Sequence, residues 1–140
     1  MSAAKERSPN WPFIEAQEPP VPQGARRARA KVIERFCEVR QQVFDGLIRD
    51  AEFNLLIDAF LHDEADIRVT VGDACIAARV PQTTALRAIQ TLIDSGLLIR
   101  NTDPRDNRRK LLSITDRGRE MVARFIDIFD AMGGFTVKQP

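Results

Sequence analysis

The chain has 140 residues, 44% of them hydrophobic and 29% charged, enough for one modest core in a single domain. Neither a signal peptide nor an apolar run of the roughly 18 residues that a membrane span needs is present, so a cytoplasmic protein off the membrane is expected. The net charge of +1 hides an asymmetry: nine bases face four acids between Arg79 and Arg119, which makes that stretch +5 and the rest −4.

Two cysteines, Cys37 and Cys75, and one histidine, His62, cannot supply the roughly four N or S ligands of a structural zinc site. No metal and no cofactor is expected. Both cysteines fall in apolar stretches and read as buried, inert thiols. One histidine cannot build a Ser/His/Asp set, and no GxGxxG or P-loop string occurs, so an enzyme is not expected.

Residues 1–24 hold five of the eight prolines and read as a disordered tail, with Trp11, Phe13 and Ile14 as its apolar exceptions. From residue 25 to 46 the pattern turns helical. Ala28, Val32, Phe36, Val39, Val43 and Leu47 step by three or four, and Ile33, Cys37 and Phe44 widen the stripe. Asp50 is placed to cap a second helix over 51–63, with Phe53, Leu56, Ile57 and Phe60 inward. A short strand-like piece, 67–69, precedes Thr70-Val71-Gly72-Asp73, which has capping-box spacing for a short helix over 71–79.

Val80-Pro81 marks a turn, with Pro81 suited to the first position of a helix running to about residue 95. Ala85, Ile89, Leu92 and Ile93 face inward on that helix. Gly96 suits a left-handed stop. Two strands follow, 97–100 and 110–114, joined by the turn-rich loop of residues 101–109. Thr115 caps a last helix over 116–132, whose stripe is Met121, Val122, Phe125, Ile128, Phe129 and Met132. Residues 134–140 form a short tail.

Two short helices joined by a tight turn and followed by a β-hairpin make a winged helix-turn-helix. The expected fold is mainly α with a small β-hairpin wing (α+β), the winged unit spanning 47–115 between flanking helices 25–46 and 116–133. In such a unit the second helix enters the major groove. Its outer face here is Gln82, Thr83, Thr84, Leu86, Arg87, Gln90 and Thr91, which carries donors and no carboxylate. Arg105, Arg108, Arg109 and Lys110 make the hairpin basic, as a minor-groove or backbone contact requires. The flanking stripes are too apolar to face water. Phe36, Val39, Val43, Phe44, Met121, Phe125 and Phe129 are therefore expected in a homodimer interface.

Residues 69–120 resemble the winged helix of the MarR family of bacterial regulators. The matching stretches are VTVGDACIAARVPQTTALRAIQTLIDSGLLIR, DPRDNRRKLLSIT and DRGRE, with the Asp106-x-Arg108 pair as the most specific part. The resemblance implies a homodimer with interlocked first and last helices, and a double-stranded, pseudo-palindromic operator. It assigns DNA recognition to 81–95, a wing contact to Arg108, and wing bracing to Asp106, for which Arg100 is the candidate ion-pair partner. It also implies repression of nearby genes and release of DNA by a small-molecule effector. One branch senses oxidants through an N-terminal cysteine, and Cys37 lies in the corresponding helix. Arg109 departs from the small residue that usually follows the wing arginine. The competing reading is a winged-helix module that binds protein and not DNA.

Overall fold

The computed structural model describes residues 22–46 and 48–135. Trp11, Phe13, Ile14, Leu47 and residues 136–140 lie outside the described residues. The order is α1 (Gln23–Phe44), α2 (Asp50–Glu64), β1 (Val69–Thr70), α3 (Val71–Ala77), α4 (Gln82–Asp94), β2 (Leu98–Asp103), β3 (Asp106–Ile114) and α5 (Asp116–Ala131). The fold is therefore mainly helical with one three-stranded antiparallel sheet, ordered β1-β3-β2. Among the described residues, no helix is long and apolar enough to cross a membrane. Internal contacts separate Met1–Val32, of which only the start of α1 is described, from Ile33–Pro140.

Phenylalanine dominates the second unit's core. Phe36 meets the rings of Phe53, Phe125 and Phe129 edge-on, at centroid separations of 5.6, 5.2 and 5.5 Å. Phe44 joins through Phe53 at 5.9 Å, and Phe135 closes the cluster on Phe129 at 4.7 Å. Edge-to-face contacts of this kind stabilise by about 0.5–1.5 kcal/mol each beyond the area they bury. One continuous cluster thus ties α1, α2 and α5 together.

That cluster corrects the expected dimer interface. Val39, Phe44, Phe125 and Phe129 are 1, 1, 2 and 4% exposed within a single chain, so they are occupied by their own chain's core. Phe36, Val43 and Met121 are half-buried. The stripe correctly marked the face that leaves water but named the wrong partner for it. Cys37 is a second correction. It is exposed, because Phe36 and Val39 take the inward positions on either side of it; Cys75 is buried as expected.

Helix ends follow local chemistry. Thr70 accepts the Asp73 amide at 3.1 Å, as its spacing predicted. Asp50 does not cap α2. The cap position is Arg49, without a side-chain bond, and Asp50 is the first helical residue, ion-paired to Arg40 at 2.8 Å. Pro81 stands at the cap of α4, one position before the expected one. Gly96 has φ +75°, and the bonds Gly96 N–H to Ile93 O and Leu97 N–H to Leu92 O complete a Schellman stop. That stop turns the chain directly into β2.

The wing departs most from expectation. The segment read as a nine-residue loop, 101–109, is mostly strand: β2 runs to Asp103, β3 starts at Asp106, and only Pro104 and Arg105 turn. Asn101 pairs with Leu111 and Thr102 with Lys110, with an irregularity between Thr102 and Asp103. Turn formers at 101–103 suggested a loop because pairing across the ribbon, which overrides them, is not visible in a local window.

Candidate nucleic-acid interface

The interface begins with α4. Its apolar residues Ala85, Ala88, Ile89 and Leu92 are each 2% exposed or less and anchor it in the core. With that face fixed, the helical period leaves Gln82, Thr83, Thr84, Leu86, Arg87, Gln90 and Thr91 all exposed. Internal bonds divide this set. Gln90 donates to Asp94 at 2.8 Å, and Thr91 donates its hydroxyl to the Arg87 carbonyl at 3.0 Å. Gln82, Thr83, Thr84 and Arg87 make no side-chain bond among the described residues. The amino-terminal half of α4 therefore holds the donors available to a ligand. Leu86, 40% exposed among them, offers an apolar contact of the kind a thymine methyl would accept.

The wing supplies the charge. Arg105, Arg108, Arg109 and Lys110 are all exposed. Strand alternation puts Arg108 and Lys110 on the face that carries buried Leu112 and Ile114, and Arg109 on the opposite face. The ribbon thus presents cations on both sides. Lys110 donates to Thr102 Oγ1, directly across the ribbon, at 2.9 Å. The backbone of Arg108, Arg109 and Lys110 also borders a groove closed by Thr70, Val71, Gly72 and Asp73 at the start of α3.

The expected brace, Asp106 with Arg100, is not the one found. Asp106 Oδ1 accepts the Arg108 amide at 3.0 Å, which fixes the backbone of the wing arginine, and no ion pair links Asp106 to Arg100. The buried carboxylate is Asp103, 5% exposed. It accepts the Arg105 amide at 2.9 Å and lies 3.9 Å from Arg68 Nη1, which reaches over from the segment leading into β1. Both aspartates bond the amide two residues on, so two Asx turns in succession shape the wing tip. Asp103 was missed. The signal was present in Asp103-Pro104, an aspartate preceding proline at a tight turn, which favours such a bond.

The wing is rooted by α5. Thr115 accepts the Gly118 amide at 3.0 Å and donates to the Gly96 carbonyl at 2.6 Å, while its own amide bonds Leu97 O at 3.0 Å. One residue thus joins the helix start to the first strand of the wing. Arg119 ties α5 to α2 through Asp63 at 3.1 Å and also pairs with Asp116.

Residues 67–118 match the family model described as a winged helix DNA-binding domain. No curated protein matches the sequence. Among solved structures, a Staphylococcus aureus MepR–DNA complex is similar with a TM-score of 0.64 at 24% identity, covering 79% of this chain and 86% of that one. MepR bound to ethidium bromide gives 0.65 at 25% identity, covering 83% and 79%. NadR in complex with 4-hydroxyphenylacetate gives 0.60 at 17% identity, covering 84% and 78%. Residues 67–118 are therefore a winged helix DNA-binding domain, carried in the fold of the MarR-family regulators MepR and NadR.

Proposed function

We propose that this chain is a homodimeric transcriptional regulator of MarR type, acting as a repressor on a pseudo-palindromic duplex operator. The observation that supports it best is the division of labour on the winged helix. α4 offers neutral donors and one central arginine, while the wing offers four exposed cations. Base edges are read by the first kind of surface and phosphates or a narrow minor groove by the second. Gln82, Thr83, Thr84, Leu86 and Arg87 carry the base contacts, with Gln90 and Thr91 at the far end of the footprint. Arg105, Arg108, Arg109 and Lys110 carry the backbone contacts.

Two copies are needed for a palindrome, and the surface that remains for dimerisation is small. Ile33, Met132 and Phe135 are 65, 42 and 52% exposed. They cluster where Arg35 donates to the Met132 carbonyl at 3.3 Å. Half-buried Phe36, Val43 and Met121 add to this surface. By likeness to MepR with ethidium and NadR with 4-hydroxyphenylacetate, a small aromatic effector is the class of ligand that would release DNA.

Binding titrations at several salt concentrations, on operator and random DNA, test the reading. Arg87→Ala should weaken operator binding by about 1–3 kcal/mol and relax preference at one base pair per half-site. Arg108→Ala should weaken both DNAs alike and flatten the log–log salt slope by about 0.9 for every phosphate it no longer neutralises. If both variants bind as the wild type does, the winged helix is not the DNA surface, and a protein partner replaces DNA.

A further inference from the structure

One strongly charged surface lies outside the winged helix and has no role in the reading above. Arg26, Arg27, Arg29 and Lys31 occupy the first turns of α1, and all four are exposed. No acid lies between Glu18 and Glu34 in the sequence, and none stands in the helix's first turn. The four side chains make no ion pair or hydrogen bond within the described residues; the ion pairs that do form there involve Arg40, His62, Arg68 and Arg119.

This placement works against the helix that carries it. The amino-terminal end of a helix bears the positive end of its dipole, so cations there are unfavourable. Arg26 and Arg29 are also spaced i, i+3, and Arg27 and Lys31 i, i+4, so each pair brings like charges together on the helix surface. A collar of cations at the wrong end, in two repelling pairs, has no stabilising role in the free chain. An anionic partner would remove both penalties at once. The four positions spread around the helix and do not share one face, which suits a continuous line of phosphates better than a single small anion.

We propose that this collar is a second DNA contact, engaging the phosphate backbone of the duplex that the winged helix reads and adding affinity without sequence preference. The proposal rests on the DNA-binding reading above. Its chemistry is that of guanidinium and ammonium groups displacing condensed counterions from phosphates.

The test is the quadruple variant R26Q/R27Q/R29Q/K31Q in the full chain. Circular dichroism and thermal melting come first. Removing the repelling pairs should leave the melting temperature unchanged or raise it, which separates lost binding from lost folding. Titrations on operator and random duplexes should then show both affinities falling tenfold or more at about 0.1 M salt. The ratio between the two DNAs should be preserved, and the salt slope should flatten by roughly 0.9 for each phosphate that the variant leaves to its counterions. Amide exchange over residues 23–32 in the wild type should slow when duplex is added. Unchanged affinity and slope would overturn the proposal. So would loss of affinity on the operator alone, which would mean base readout. Binding of the wild type, but not the variant, to vesicles of anionic phospholipid without any difference on DNA would assign the collar to a membrane surface instead. If the wild type and an Arg108→Ala control bind neither duplex, the DNA reading itself fails and the collar proposal with it.

Discussion

Gly118→Ala is the substitution that most directly tests how the wing is anchored. In an exposed helix interior, alanine is favoured over glycine by about 1 kcal/mol. Gly118 lies in the first turn of α5, where that gain would ordinarily apply. Here a Cβ would stand 2.4 Å from the Leu97 carbonyl oxygen and 2.7 Å from Ile114 Cγ1. The first neighbour is backbone, already held by the Thr115 amide at 3.0 Å, so it cannot rotate aside. The second is a core side chain, with Ile114 only 4% exposed. Overpacking of this kind costs about 1–3 kcal/mol, and the upper part of that range fits a clash with main chain. The net effect should be destabilisation of about 1–2 kcal/mol after the propensity gain is subtracted. At about 4–8 °C per kcal/mol for a domain of this size, melting should fall by roughly 5–15 °C. Gly72→Ala in α3 is the matched control. Its nearest neighbour would be Thr70 Oγ1 at 3.8 Å, so it should gain up to about 1 kcal/mol. Calorimetry on both variants decides the matter. A Gly118→Ala protein as stable as Gly72→Ala would refute the idea that close approach of α5 to the wing root demands glycine.

Asp103→Ala should weaken DNA binding although it removes a negative charge, because the Arg105 amide and the Arg68 guanidinium lose their common acceptor. Asp103→Asn keeps an oxygen for the amide and should bind as well as the wild type or more tightly; equal binding by both variants would discount the brace. Thr115→Ala should lower stability by about 1–2 kcal/mol, measured by urea denaturation, since it removes an N-cap and the bond to Gly96 O. Ile33→Glu together with Met132→Glu should give monomers in sedimentation with little change in helix content, whereas a dimer that persists would place the interface elsewhere.

The sequence was most legible where one local rule decided the outcome. Thr70 and Thr115 cap helices because a hydroxyl three residues ahead of a free amide is the nearest acceptor. Gly96 stops α4 because a left-handed residue there costs glycine little. The polar face of α4 was legible for the same reason, since fixing four apolar positions fixes the others. Legibility failed where the deciding contact was distant. The extension of β3 to Asp106 depends on pairing with β2, and the burial of Asp103 depends on Arg68, 35 positions earlier in the chain. Asp106 and Asp103 stand in equivalent local contexts, each bonding the amide two residues on. Only the surrounding chain makes one of them a buried brace.

The dimer expectation shows the limit of periodicity most clearly. A stripe at helical spacing states that a face must leave water, and α1 and α5 satisfy that demand through each other and α2, ring against ring from Phe36 to Phe125 and Phe129. No large apolar face remains that only a second copy could cover. A dimer must therefore be held by the smaller surface around Ile33, Met132 and Phe135, where Phe135 stacks edge-on against the buried Phe129 and remains half open to solvent. A weakly held interface next to a rigid aromatic core has a mechanical consequence. The chain's own fold does not depend on its partner, so the spacing of two α4 helices can change without either chain unfolding. An effector that altered that spacing would need to act only on the small surface, while each winged helix kept the Thr115 and Asp103 contacts that hold its own recognition helix and wing in place.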